Sequence, residues 1–293
     1  MITFKQFLAE GGGATSKYGT DRATTADVKA ALEFVSKATG VSVETLKADL
    51  LGSTALTLLG KKKDSGDIDI AFSLEDSDVK DIDAKMLKAT NGEGGYNAGT
   101  KVGSYAVPVN GKKVQVDLMF VNDKDWARFM YHSAQGAGSK YPGAVRNIIM
   151  FTALAHKQEK DKDFVLRDEN GKPYARASKS ITMDSGMKRL FKAAKFNEKT
   201  GKLNKSVDTV TPEELEAILK KMGKSIKFSK ELEATNDPNE IVKYIFGKGA
   251  KPADVMTAEG VIALVKKLPN AAEVIKASKS ELERLKLPVP EEL

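Results

Sequence analysis

The sequence predicts a mixed α/β (α+β) fold in which helices and strands intermingle up to about residue 160 and a mostly helical domain follows. Three observations carry this expectation. Apolar residues recur at helical spacing around residues 25–39, 76–89 and 142–157, strand patterns occupy residues 67–72, 101–109 and 112–121, and the later part holds short helical patterns cut by Pro238, Pro252 and Pro269. A chain of 293 residues can form one large or two ordinary domains. The change of character near residue 160 favours two, residues 24–160 and 161–293, behind an N-terminal segment and linker at residues 1–23.

Taken in order, residues 11–24 open with Gly-Gly-Gly-Ala-Thr-Ser and read as a flexible connection. Thr24 or Thr25 caps a helix whose inward face is Val28, Ala31, Leu32, Val35 and Ala38, and Gly40 ends it. A short helix at residues 42–49 leads to Gly52-Ser53, read as a turn. A strand at residues 67–72 precedes an amphipathic helix at residues 76–89, with Val79, Ile82, Met86 and Leu87 inward, which residues 91–95 break. Asn110-Gly111, between the strands at residues 101–109 and 112–121, is the strongest two-residue hairpin signal a sequence carries. A helix with Trp126, Phe129 and Met130 comes next, then a glycine-rich loop at residues 133–140 and a long helix begun by Pro142. On that helix Val145, Ile148, Ile149, Thr152 and Ala155 form one wall, with Arg146, Met150, Ala153 and Lys157 on an adjacent stripe.

In the later part, residues 164–168 and 172–177 flank Glu169-Asn170-Gly171 as a second hairpin. Residues 186–196 read as a basic helix, with Lys188, Arg189, Lys192 and Lys195 over Met187, Leu190, Phe191 and Ala194. Thr211-Pro212-Glu213-Glu214 starts a helix with cap, proline and acidic first turn together. Helices are expected at residues 214–222, 239–246, 258–268 and 279–285.

Composition excludes several classes of chemistry. The chain has no cysteine, so it carries no disulfide, thiolate metal site or thiol nucleophile, which fits a reducing, cytoplasmic compartment. Its two histidines, His132 and His156, are too few for a histidine-rich zinc centre and read as structural hydrogen-bonding residues. Any metal must be held mainly by oxygen, which favours magnesium or manganese over zinc. No stretch approaches the roughly 20 apolar residues that cross a bilayer, so no membrane partner is expected. Residues 1–10 are too polar for a secretory signal and are expected to form a short docking helix. The net charge of +7 is uneven, since residues 124–205 hold 18 Lys and Arg against 8 Asp and Glu. Such a segment suits a polyanion, either a nucleic acid or a nucleoside triphosphate.

The chemistry-bearing stretch is residues 51–72. Asp67 and Asp69 are two apart in a strand, so they project to one side and can converge on hard cations. Asp117, on a neighbouring strand and facing away from Val116 and Leu118, is positioned to add a third carboxylate. Three such groups make a site for one or two divalent ions that bridge a triphosphate and activate a hydroxyl. Gly52 lets backbone approach closely, and the Ser53 hydroxyl can donate to a terminal phosphate.

Gly52-Ser53, then Asp67-Ile68-Asp69-Ile70, then Asp117 in Val-Gln-Val-Asp-Leu resemble the signature of the DNA polymerase beta-like nucleotidyltransferase superfamily, over about residues 48–120 and the following helix. The resemblance implies a core with a short mixed sheet flanked by helices, and transfer of a nucleoside monophosphate from a triphosphate to an acceptor hydroxyl with release of pyrophosphate. It implies that Gly52 and Ser53 hold the triphosphate and that Asp67 and Asp69 bind two magnesium or manganese ions. Asp117 would bind the catalytic ion and help deprotonate the acceptor. The chain departs from the pattern in its 13-residue spacing between Ser53 and Asp67, and in Thr54 where a basic residue often follows the Gly-Ser pair.

Beyond the trio, Lys61, Lys62 and Lys63 are mainly expected as surface lysines. Lys140 and Tyr141, at a helix start, are candidates for a phosphate contact and for stacking on a base, and Arg146 is a further candidate for the triphosphate. The basic middle segment favours an RNA 3′ end as acceptor, with a protein hydroxyl or a small molecule as alternatives. A non-catalytic nucleic-acid-binding or virion structural protein is the reading from another class. The first residues resemble openings of tailed-bacteriophage proteins, which implies a phage origin.

Overall fold

A computed structural model describes residues 14–132, 137–161, 164–167, 173–182, 186–197, 202–223 and 234–293. The N-terminal helix expected at residues 1–10, part of the glycine-rich loop (residues 133–136) and the turn at residues 169–171 lie outside them. The chain runs β1 (Thr20–Asp21), β2 (Ala23–Thr24), α1 (Thr25–Thr39), α2 (Val43–Ala48), α3 (Gly52–Leu58), β3 (Asp64–Ser65), β4 (Ile68–Ser73), α4 (Val79–Ala89), β5 (Gly94–Asn97), β6 (Val102–Val109), β7 (Lys112–Val121) and α5 (Lys124–Met130). It continues through α6 (Gly143–Asp161), β8 (Phe164–Arg167), β9 (Pro173–Thr182), β10 (Gly186–Asn197), β11 (Lys202–Val210), α7 (Pro212–Lys221), β12 (Ala234–Thr235), α8 (Pro238–Phe246), a 3₁₀ turn at Pro252–Val255, α9 (Ala258–Val265) and α10 (Ala271–Arg284). The architecture is mixed α/β: a mixed sheet, an antiparallel sheet and C-terminal helices. No helix among the described residues is long and apolar enough to cross a membrane.

The first sheet is built around β7. β6 pairs antiparallel along one edge, joined to β7 by a turn in which Asn110 and Gly111 both have positive φ, +47° and +81°. β5 extends the sheet beyond β6, while β1 and β4 share the other edge of β7 end to end, both parallel to it. Alternation along the strands then sorts the faces. Ile68, Ile70 and Phe72 of β4 and Val114, Val116, Leu118 and Phe120 of β7 form one core with Val28, Ala31, Leu32 and Val35 of α1 and Ile82 and Met86 of α4. The opposite face carries Ala71, Met119 and Val121, which pack with Leu51 and with Ala127 of α5.

The reading of residues 14–23 as flexible linker is corrected. Thr20 and Asp21 add to the edge of β7, β2 pairs with β3, and Thr15 is buried with its amide and hydroxyl both donating to Gln115 Oε1. A Ser/Thr-rich segment orders when its polar groups find such partners.

The later part differs more. Residues 186–196, expected as a basic helix, form β10, the central strand of an antiparallel sheet with β9 and β11 on its edges and β12 beside its start. A short apolar run fits both periods, and the ladder with β9 over eight residue pairs from Gly186 to Ala193 decides for the strand. The part after residue 161 is therefore a sheet plus helices rather than mostly helical. The hairpin of β8 and β9 and the helix capped by Thr211 with its capping box to Glu214 are found where expected. α6 lies in one core with α8, α9 and α10 through Ile148, Ile149, Ile245, Val261 and Val274, so the boundary near residue 160 does not separate it from the helices that follow. On α6 Ala155 is exposed, and Met150 and Ala153, placed on the adjacent stripe, are buried.

One buried carboxylate ties the first helix to the hairpin. Asp27 closes a capping box with Thr24, accepts from Asn110 Nδ2 at 2.8 Å and pairs with Lys112 Nζ at 2.9 Å. Burial pushes its carboxyl up, but the hydrogen bonds from Asn110, Lys112 and Thr24 outweigh it and hold it well below the usual range. With the folded value below the unfolded one, this stabilisation is complete above about pH 4 and is lost as pH falls through the folded-state value. In thermal melts between about pH 7 and about pH 3, the wild type should lose stability on acidification more steeply than Asp27→Asn. At neutral pH that variant should be the less stable by about 1–3 kcal/mol. Parallel pH profiles would show that another group governs the acid limb.

Candidate metal centre

Three carboxylates meet on the face of the first sheet away from α1 and α4. β4 and β7 are parallel and in a register that sets Asp69 directly beside Asp117, and Asp67 lies two residues before Asp69 on the same side. Asp67, Asp69 and Asp117 each offer an oxygen within 4.8 Å of the others. Asp67 and Asp69 are half-buried, and Asp117 is buried.

Backbone and neutral side chains hold the group in place. On the free edge of β4, residues 49–51 pair with residues 69–71: Leu51 N donates to Asp69 O at 3.0 Å and Ala71 N to Asp49 O at 2.9 Å. Thr54, two residues after Gly52, is fully buried. Its hydroxyl donates to Asp67 O at 3.0 Å and accepts from Asp69 N at 3.3 Å, fastening α3 to the Asp67–Asp69 backbone. Gln115 Nε2 donates to Asp117 Oδ2 at 2.9 Å.

Gly52 and Ser53 do not form a free turn; they begin α3. Gly52 sits at φ +59°, and a Cβ there would lie 3.1 Å from Asp69 Oδ2. The close approach foreseen for Gly52 is thus an approach to a carboxylate. Its amide donates to Tyr131 O at 3.0 Å, and Ser53 Oγ shares a 2.8 Å hydrogen bond with Ser65 Oγ. Lys61 and Lys63 are exposed beyond the end of α3.

The remaining candidates are engaged elsewhere. Lys140 N and Ser139 Oγ donate to the Glu259 carboxylate, Tyr141 Oη donates to Glu292 at 2.9 Å, and Lys140 Nζ lies 3.9 Å from Glu292. These contacts bind residues 139–141 to α9 and the C-terminal segment. Arg146 is corrected as a nucleotide contact, because it is fully buried and works as an internal peg. Its guanidinium donates to Val255 O, Phe129 O and Met130 O and lies 4.7 Å from the centre of the Phe129 ring. Burial lowers its pKa to about 10. Lys157 lies over the Tyr244 ring at 5.3 Å. Burial and the Arg146 charge hold His132 below its ordinary value, and His156 Nδ1 lies 3.0 Å from Thr152 O.

Sequence reasoning brought the three aspartates together and missed Thr54 and Gln115. Gln115 had a usable signal, since it is a polar residue two before Asp117 and therefore shares its face of the strand. Comparison with protein-family models, with curated proteins and with solved structures returned no match.

Electrostatics favours a cation here. Burial, then the charges of Asp67 and Asp117, push the Asp69 carboxyl well above the usual carboxylate range. A donor set of three carboxylates, with neither nitrogen nor sulfur, fits a hard divalent ion such as Mg2+ or Mn2+. A ligand present at about 100 times its dissociation constant stabilises the fold by about 2.7 kcal/mol. Mg2+ or Mn2+ is therefore expected to raise the wild-type Tm. Asp69→Asn, relieved of one repelling charge, should melt no lower than the metal-free wild type and should gain nothing from the ion. A metal-dependent rise retained in Asp69→Asn would remove the cluster as the site. Gly52→Ala is expected to cost about 1–2 kcal/mol and, by crowding Asp69 Oδ2, to reduce the metal-dependent rise in the same melts.

Proposed function

We propose that this protein is a metal-dependent nucleotidyltransferase that moves a nucleoside monophosphate from a nucleoside triphosphate to an acceptor hydroxyl and releases pyrophosphate. The observation that carries this reading is the meeting of Asp67, Asp69 and Asp117 within 4.8 Å, from neighbouring parallel strands, with Gly52 at the start of α3 against Asp69. Asp67, Asp69 and Asp117 would hold the two magnesium or manganese ions. When bound, such ions supply neutralising charge for the phosphates and acidify the acceptor hydroxyl.

The chain's own groups have distinct tasks. Asp117 accepts the proton that the acceptor hydroxyl gives up. The acceptor oxygen then bonds to the α-phosphorus as the bond to the bridging oxygen of pyrophosphate breaks. Ser53 donates its hydroxyl to a terminal phosphate, exchanging its present contact with Ser65. Thr54 keeps the backbone of Asp67 and Asp69 fixed, so little reorganisation is required as charge develops. An RNA 3′ end is the acceptor best supported, through the basic balance of residues 124–205. Within that segment Lys188 and Lys192 are partly exposed and share a face of β10.

The test is to incubate the protein with each labelled nucleoside triphosphate, Mg2+ or Mn2+, and cellular RNA or cellular protein. Label is expected on RNA, and Asp67→Ala or Asp117→Ala should reduce transfer about a hundredfold or more. Label on protein instead would reassign the acceptor. No transfer to any acceptor, together with no triphosphate binding, would end the enzyme reading.

A further inference from the structure

We infer that Gln115 is a positioning residue for Asp117, and that Thr15 fixes Gln115 in the orientation this requires. The inference rests on the metal-centre reading of the carboxylate cluster. Thr15, Gln115 and Asp117 are 1 %, 1 % and 6 % exposed, so the chain of contacts that joins them is shielded from water. Thr15 N donates to Gln115 Oε1 at 3.2 Å, Thr15 Oγ1 donates to the same oxygen at 2.9 Å, and Gln115 Nε2 donates to Asp117 Oδ2 at 2.9 Å.

A glutamine amide can present either end to a neighbour, and here the choice is forced. A backbone N–H can only donate, so the end of Gln115 facing Thr15 must be the carbonyl oxygen. The NH2 is then the end that faces Asp117. A hydrogen bond to the carboxylate sets the rotation of its plane and hence the direction of its second oxygen. Gln115 does this without a charge of its own. A lysine or arginine in its place would neutralise Asp117 and repel an incoming cation.

The backbone supports the same arrangement. Gln115 stands at the change of partner along β7, between Lys113 and Val114, which pair with β1, and Val116 onward, which pairs with β4. The parallel pairing of Thr20 and Asp21 is what brings the Thr15 region alongside β7. Outer partners of metal ligands typically contribute 10–100-fold to metal affinity.

The test titrates the full-length protein with Mn2+ alone, by calorimetry and by the electron paramagnetic resonance signal of free Mn2+. It compares wild type, Gln115→Met and Thr15→Val, well below their melting temperatures. Gln115→Met is expected to weaken Mn2+ binding about 10–100-fold. Thr15→Val, which keeps the backbone donor and loses only the hydroxyl, should weaken it by a smaller factor. If Gln115 merely seats the N-terminal segment, both variants will lower Tm and leave Mn2+ affinity unaltered, and the inference is overturned while the metal centre stands. Absence of Mn2+ binding by the wild type overturns both. Should Gln115→Met not fold, Thr15→Val decides alone: weakened binding supports the inference, and unaltered binding overturns it.

Discussion

Three carboxylates whose oxygens lie within 4.8 Å repel one another, and the rest of the structure is arranged around holding them there. The restraint is mainly in the backbone. Parallel pairing of β4 with β7 sets Asp69 beside Asp117, pairing with residues 49–51 closes the other edge of β4, and Thr54 fastens α3 to the segment between Asp67 and Asp69. None of these contacts requires a cation from the protein. The apolar face of the same strands, packed on α1 and α4, supplies the stability against which the repulsion is set.

α5 connects this sheet to everything that follows. Asp49, buried at the end of α2, pairs with Lys124 and Arg128 of α5 at 2.6 Å each. At the other end of α5 the carbonyls of Phe129, Met130 and Tyr131 are taken. Arg146 and Asn147 of α6 bind those of Phe129 and Met130, and Gly52 N binds that of Tyr131. Trp126 Nε1 donates to Thr182 O of β9. One short helix thereby joins the backbone beside Asp69 to the C-terminal helices and to the antiparallel sheet. Arg146 owes its burial to this role, since removing it would leave several buried carbonyls without donors.

What the sequence made legible was local. The Thr24 cap, the Asn110-Gly111 turn, the Thr211 capping box and the strands carrying the aspartates were readable because each depends on residues within a few positions. The readings that went astray depend on distant partners. Residues 186–196 have an apolar spacing that also fits a helix, and only β9 and β11 make them a strand. Arg146 looks like a surface cation until the carbonyls of Val255 and α5 surround it. Thr15 looks like linker until Gln115 supplies its acceptor. The aspartates survived because alternation along two strands is enough to put them on one face; Gln115 shares that face by the same alternation, while Thr54, which holds the Asp67–Asp69 backbone from α3, carries no local mark of that task.

The register of β4 against β7 also bears on when the site comes into being. Its carboxylates come from segments about fifty residues apart, the glycine beside them is held by Tyr131, and the amide on Asp117 is oriented from Thr15, a hundred residues earlier. Contacts of such long sequence separation form late, after the chain has met the entropy of closing those loops. A growing chain therefore carries Asp67 and Asp69 in one segment without Asp117, and gathers the three into one dense negative cluster only once β7 has been inserted between β6 and the β1–β4 edge. Assembly of the centre and completion of the sheet are the same event.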